Sequence, residues 1–244
     1  MLTWEERAEL ESRWFPDAQQ RLWGRFRSEL AEAIGPHSLV LDAGGGKGSW
    51  FLRSHVGDAR LVVGVDVERP PYHILDAFVQ GALEALPFPT GTFDVVVCND
   101  VIEHLVHPRE SMAEIARVLR PPSQPGARDG GLFFFKTPSL HAPSTLITHM
   151  LPYRWHRGLK RFLGVPEENV FPTAFRCNTP SALDTCLREV GLEREWMLLV
   201  DGTFGYFAFN RPLYVLGLLY SRLAYAPFLR PIRSTIVGVY RRVR

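Results

Sequence analysis

Residues 39–48 read LVLDAGGGKG: an apolar run of strand length stops at Asp42, and glycines follow at positions 44, 45, 46 and 48. Glycine supplies backbone conformations closed to other residues and lets the main chain approach a ligand, so this segment predicts a strand that ends in a tight, ligand-facing turn. Apolar runs of similar length recur at 60–66, 93–99 and 131–137, and the first begins at Ser38. Helical spacing between them predicts helices over 48–55, 72–78 and 108–119, with a short third strand near 79–82. Apolar strands alternating with helices imply a mostly parallel sheet covered on both faces, a doubly wound, Rossmann-like α/β fold of seven strands. At 244 residues and 46% hydrophobic side chains the chain accommodates one large domain of this kind, not two.

The flanks read differently. Residues 1–36 carry apolar side chains at helical spacing, including Trp14, Trp23, Phe26, Leu30 and Ile34, interrupted at Pro16 and stopped by Gly35 and Pro36. They predict two leading helices, with the α/β domain proper over 37–210. Within it, residues 137–178 lose the rhythm and are rich in His, Pro, aromatic and Arg residues, as expected of a cap inserted over one end of the sheet. A helix over 180–190 and strands over 192–200 and 203–210 follow. Residues 211–244 predict a basic, apolar, helical tail.

A net charge of +2 gives no reason to expect a nucleic-acid partner. The charge is unevenly spread, however. No acidic residue follows Asp201, whereas Arg211, Arg222, Arg230, Arg233, Arg241, Arg242 and Arg244 all lie in the tail, leaving the body acidic. Cys98, Cys177 and Cys186 are too few and scattered for a disulfide framework or a metal site. The N-terminus, charged from its fifth residue, lacks the apolar core of a signal peptide, and no apolar run reaches the length of a spanning helix. The expected location is the cytoplasm.

The chemistry of the turn narrows its ligand. A dinucleotide fingerprint needs a third glycine where Ser49 stands, and a phosphate loop needs Ser or Thr after Lys47, where Gly48 stands. The carboxylate of Asp42 suits a cationic group instead, and the sulfonium and amino groups of S-adenosylmethionine meet that requirement. Asp66, closing the second apolar run, can accept hydrogen bonds from both hydroxyls of a ribose.

Together with GALEALPFPTGTFDVVVCNDVIEHLVHPRESMAEIARVLRP, the turn and Asp66 resemble the class I S-adenosylmethionine-dependent methyltransferases, in particular the group that includes the ubiquinone and menaquinone biosynthesis enzymes. The resemblance covers roughly residues 39–137. It implies that Asp42, Gly44 and Gly46 hold the methionine part of the cofactor and Asp66 the ribose, with Val67 also among the cofactor-binding residues. Leu83 and Glu84 would face the adenine, and Asn99 and Val101 would lie under the cofactor at the end of the fourth strand. Many relatives have Asp where this chain has Ala82, leaving adenine to the Leu83 N–H and apolar packing.

Methyl transfer needs an aligned acceptor and somewhere for its proton to go. The Glu103-His104 pair is common near the substrate in the quinone-pathway relatives, so His104 is the candidate proton acceptor and Glu103 its orienting group or an aid to a metal; local packing is the alternative. His141, His149, Arg154 and Arg176 of the inserted cap are candidates for a second base and for an anion on the substrate, against an ordinary aromatic lid with solvated arginines. No metal site is assigned. The expected activity is methylation, O-directed, of a small-molecule or lipid-linked acceptor. A non-catalytic S-adenosylmethionine-binding or assembly subunit is the alternative, and an NAD-dependent oxidoreductase is a third reading weakened by Ser49. The tail at 211–244 suits either peripheral contact with the inner face of a membrane or packing on the domain or on a partner subunit in a homo-oligomer.

Overall fold

The computed structural model describes residues 1–52, 55, 57–143, 145–146 and 172–244. Among them, β1 (Leu39–Ala43), β2 (Leu61–Asp66), β3 (Ala77–Gln80), β4 (Val95–Asn99), β5 (Leu132–Pro138), β6 (Leu192–Val200) and β7 (Thr235–Arg242) form one seven-stranded sheet. Its order is β3-β2-β1-β4-β5-β7-β6. The first five strands pair in parallel, with Leu41 opposite both Val63 and Val96, and Val97 opposite Phe134. β7 runs antiparallel to β5: Ser139 N–H donates to the Ser234 carbonyl at one end, and Arg242 N–H to the Gly131 carbonyl at the other. The strand order reverses between β1 and β4, and in open α/β sheets the carboxyl ends of the strands at such a reversal form the ligand crevice.

The chain divides into two compact units. The larger comprises Phe26–Thr137, Thr173–Leu198 and Val237–Arg244. Val40, Leu41, Val62, Val65, Val96 and Val97 are buried there, as strands covered on both faces must be. α2 (Arg25–Ala33) buries Phe26 and Leu30. α3 (Pro108–Val118) opens on a proline, whose missing N–H is harmless at that position, and buries Met112, Ile115 and Val118. Arg117 on its outer side binds Glu114 and the carbonyls of Leu86 and Phe88, fixing the segment that leaves β3. α4 (Pro180–Glu189) is capped by the Thr179 hydroxyl, which accepts the Ala182 N–H at 3.2 Å.

The smaller unit comprises Met1–Arg25, Pro138–Pro172 and Leu199–Ile236. α1 (Trp4–Trp14) begins with a reciprocal capping box between Thr3 and Glu6. Its partner α5 (Arg211–Ala224) starts at Asn210, whose side chain accepts the Leu213 N–H at 3.1 Å. Tyr214 of α5 donates to Glu11 of α1 at 2.6 Å.

Several sequence expectations are corrected. The described residues of 48–55 form turns, not a helix: Leu52 N–H bonds Ser49 O and His55 N–H bonds Leu52 O, while the Ser49 N–H goes to the Asp42 carboxylate. Residues 72–76 are not helical either, because Ile74 N–H goes to Lys47 O and Asp76 N–H to Val62 O. β3 accordingly starts at Ala77. Residues 203–207 form a 3-10 turn instead of a strand, since the Asp201 carboxylate accepts the Thr203 N–H and turns the chain as soon as β6 ends. The seventh strand lies instead at Thr235–Arg242, inside the tail expected to be wholly helical. His149 and Arg154, with most of the expected cap, lie outside the described residues.

Candidate functional site

β1 and β2 are registered so that Asp42 pairs with Gly64 and Ala43 with Val65, which sets the glycine turn beside the end of β2. Gly44, Gly46 and Gly48 all adopt positive φ (77°, 53° and 110°). At Gly44 a side chain is excluded twice over, by conformation and by Val101, whose methyls would stand 2.7 Å from an added Cβ. Gly45 has ordinary φ, but a Cβ there would fall 2.1 Å from the Asp42 carboxylate.

Asp42 is fully buried, and its Oδ2 accepts the Ser49 N–H at 2.5 Å. Its Oδ1 is buried with no hydrogen-bond partner among the described residues. Burial, reinforced by the nearby Asp66 charge, pushes the carboxyl up to about 7. Asp66 spans the turn from the other side: Oδ2 accepts the Gly46 N–H at 3.0 Å and Oδ1 the Glu68 N–H at 3.2 Å. Each carboxylate oxygen keeps a further lone pair for a ligand hydroxyl.

β4 brings the third contribution. Val97 lies opposite Asp42, so Asn99 stands at the level of the turn, and its Oδ1 is a second buried acceptor without a partner among the described residues. The chain then leaves the sheet through Asp100 at φ 56°, a left-handed conformation rare outside glycine, braced by Asp100 N–H on Lys136 O and by an ion pair with Lys136. That kink delivers Val101 onto Gly44. Past β3, Gly81 N–H donates to Asp66 O, after which Leu83 is buried and Glu84 half-buried. Val67 is exposed.

Glu103 and His104 occupy a short 3-10 turn at Ile102–His104. Glu103 is buried; its Oε2 accepts the Thr137 hydroxyl at 3.0 Å, and Thr137 Oγ1 accepts an Asn178 N–H at 2.6 Å. Its backbone carbonyl takes the N–H groups of Ala174 and Phe175. Burial, then the Asp100 charge, raises the Glu103 carboxyl to about 7. Its Oε1 stands 4.0 Å from His104 Nε2, and His104 is partly exposed.

Asp42, Gly44, Gly46, Asp66, Asn99 and Val101 therefore converge at the carboxyl ends of β1, β2 and β4. His141 does not belong to this unit; it is exposed in the turn after β5. Arg176 lines a separate hollow of about 460 Å³ with Arg109, Cys177, Cys186 and Glu189, which shares no residue with the glycine turn. The two cysteines there are both free thiols. Thr137, Asn178 and Asp100 escaped the sequence reading, because a buried hydroxyl or amide at a strand end carries no local pattern. No group of three or more His, Cys, Asp or Glu among the described residues is arranged to hold a metal ion.

Residues 41–124 match the family model of the methyltransferase domain. Over 115 residues the chain is 34% identical to the ubiquinone/menaquinone biosynthesis C-methyltransferase UbiE of Ectopseudomonas mendocina, covering 41% of this chain and 44% of that protein. It is 37% identical over 133 residues to a probable S-adenosylmethionine-dependent methyltransferase of Mycolicibacterium smegmatis, covering 50% and 48%. The chain thus spans just under half the length of these relatives. Among solved structures it is similar to an S-adenosylmethionine-dependent methyltransferase from Mesorhizobium loti, with a TM-score of 0.56 at 18% identity over 90% of this chain and 97% of that one. The geranyl diphosphate C-methyltransferase of Streptomyces coelicolor gives 0.53 at 15% over 92% and 80%. At these identities the structural likeness establishes the fold.

Proposed function

We propose, for a chain whose residues 41–124 match the methyltransferase-domain model and whose sheet has the class I methyltransferase fold, that the protein transfers a methyl group from S-adenosylmethionine to a small or lipid-linked acceptor. The observation that carries this reading is the pair of buried acceptors without a partner among the described residues, Asp42 Oδ1 and Asn99 Oδ1, at the ends of the neighbouring strands β1 and β4. A buried acceptor left without a donor costs about 1–3 kcal/mol, so the site favours a ligand that brings N–H donors and positive charge. The methionine end of S-adenosylmethionine brings both.

In this assignment Asp42, Asn99 and the glycine turn at Gly44 and Gly46 hold the methionine part. Asp66 accepts from the ribose, and Leu83 and Glu84 border the adenine beside the exposed Val67. The bound cofactor supplies a methyl group already activated by its sulfonium charge. What remains for the protein is to align the acceptor and remove its proton. His104 is the group for that proton. Glu103, locked by Thr137 and Asn178, is its positioning residue, and with a carboxyl that titrates near neutrality it favours the imidazolium once ionised. The acceptor atom is one that loses a proton: a hydroxyl oxygen as the sequence led us to expect, or an acidic carbon of the kind C-methyltransferases act on.

Calorimetric titration with S-adenosylmethionine, S-adenosylhomocysteine and NAD tests the cofactor, with binding of both adenosyl ligands and not of NAD expected. A folded protein that binds neither adenosyl ligand sinks the proposal. Mass spectrometry of reactions with phenols, sugars and polyprenyl lipids then separates a methyltransferase from a binding subunit, for which no product would form with any acceptor.

A further inference from the structure

α5 is apolar on two sides. Its inner side, Tyr214, Gly217, Leu218, Ser221 and Ala224, is buried. Gly217 admits the turn at Thr203–Phe207 so closely that a Cβ would lie 2.8 Å from the Phe204 Cα. The outer side carries Leu216 (61% exposed), Leu219 (41%) and Leu223 (61%), spaced at i, i+3 and i+7 on one face, and Phe228 beyond the helix end is 78% exposed. A helix that only covers a domain carries polar side chains on that side.

Along α5 itself and the segment after it the charge has one sign. No acidic residue occurs after Asp201, and Arg211, Arg222 and Arg230 are exposed on and beside the helix. Arg211 meets Glu9 of α1 at 3.9 Å, with both side chains more than half exposed, so most of its charge still faces solvent. Arg233 differs: it turns inward and donates to the carbonyls of Leu199, Ala224 and Tyr225, holding the bend that presents Phe228. A second copy seated on the same stripe would bring arginines against arginines, with no acid on α5 to pair them. A bilayer of anionic lipids satisfies both features, accepting leucine and phenylalanine among its acyl chains and arginine at its phosphates.

We infer that the outer face of α5, with Phe228, docks on an anionic lipid surface, the helix lying in the plane of the interface. Its 14 residues span about 21 Å, short of the roughly 30 Å hydrocarbon core, and no described helix is long and apolar enough to cross a membrane. The inference does not rest on the methyl-transfer reading, and vesicle binding can be measured with no cofactor present.

Flotation of the full chain with phosphatidylcholine/phosphatidylglycerol vesicles and with pure phosphatidylcholine vesicles tests it. The chain is expected to favour the anionic vesicles at least about tenfold, from roughly 1 kcal/mol for each basic side chain near the surface. The triple variant Leu216→Glu, Leu223→Glu, Phe228→Glu is expected to lose about 100-fold or more in partitioning with an unchanged Tm, since all three side chains are already exposed. Arg211→Gln, Arg222→Gln, Arg230→Gln leaves the apolar stripe intact and is expected to abolish the preference for anionic lipid. No flotation of the wild type, or equal flotation of wild type and both variants, overturns the inference. So does a wild-type dimer that the glutamate variant converts to monomer while neither floats, which would make the stripe a protein interface.

Discussion

Val101 lies across the glycine turn, its two γ-methyls 2.7 Å from the position a Cβ on Gly44 would occupy. The end of β4 thereby closes down on the turn that follows β1. Gly44→Ala meets both the Val101 methyls and a φ of 77°. It is expected to cost about 1–3 kcal/mol of stability and at least tenfold in affinity for S-adenosylmethionine. Adding Val101→Ala removes the clash but leaves the strain, so the double variant should recover part of the stability and stay below wild type. Thermal melts and calorimetry of the four proteins of this cycle check it, and full recovery would mean that the clash alone mattered.

In the proposed assignment, Asp42 links cofactor binding to pH. With its carboxyl raised to about 7 in the free protein, the group is largely protonated at pH 6. A cation bound beside it favours the ionised form, so binding releases a proton. Affinity for S-adenosylmethionine is therefore expected to rise with pH, by up to about tenfold per unit below 7, and to level off above it. Asp42→Asn should remove that slope. Calorimetry in buffers of different ionisation enthalpy reads the released proton directly.

The same two raised carboxyls make the free protein less stable as pH rises. Between the ordinary carboxylate range and about 7, the unfolded chain has released protons that Asp42 and Glu103 still hold when folded, so the slope of stability with pH is negative. Below that window both states are protonated and the full stability is present; above it the loss is complete. Denaturant melts of the cofactor-free protein from pH 4 to pH 8 should show this decline against the trend of the other carboxylates, with a shallower decline in Glu103→Gln.

Glu103 and His104 are separable by kinetics. Removing the proposed base with His104→Ala is expected to lower kcat by about 10²–10⁴-fold while leaving the affinity for S-adenosylmethionine in place. Glu103→Gln keeps an oxygen for the Thr137 hydroxyl but cannot ionise, so the pH–rate profile should lose the carboxyl's contribution near 7 and change shape. A Glu103→Gln enzyme with an unaltered pH profile would reduce Glu103 to packing.

The candidate site was legible in the sequence wherever a residue's chemistry and its backbone role coincide. Asp42, Gly44, Gly46 and Asp66 stand at strand ends, where an apolar run stops and glycine begins, and β1, β2, β4 and β5 fall within two residues of their expected bounds. Tertiary hydrogen bonding hid the rest. Nothing local in residues 72–76 shows that their N–H groups are spent on β2 and on Lys47 instead of on a helix. β7 is a different case: Thr235, Ile236, Val237, Val239 and Tyr240 form a β-branched and aromatic run after the break at Pro231, and the abundance of leucine upstream masked it. Arg176 is exposed, as the solvated-arginine alternative expected, and which hollow it borders is set by tertiary packing.

Because β7 belongs to the sheet, the C-terminal segment is not an appendage, and Asp201 is what ties it down. The fully buried carboxylate accepts from the Ser221 hydroxyl of α5 at 2.6 Å, from the Ser234 N–H just before β7 at 3.1 Å, and from the Thr203 N–H and hydroxyl at 3.2 Å. One side chain thus joins the end of β6, the following turn, α5 and the start of β7. Asp201→Ala strands those donors in the interior and is expected to cost about 3 kcal/mol or more, whereas Asp201→Asn, which keeps one acceptor oxygen, should cost less. Truncation after Asn210 removes β7 and exposes the edges of β5 and β6, so that product is expected to aggregate instead of folding as a tailless domain. A soluble, cooperatively melting truncation would show that β7 is dispensable, and an Asp201→Ala melt within about 1 kcal/mol of wild type would deny Asp201 this anchoring role.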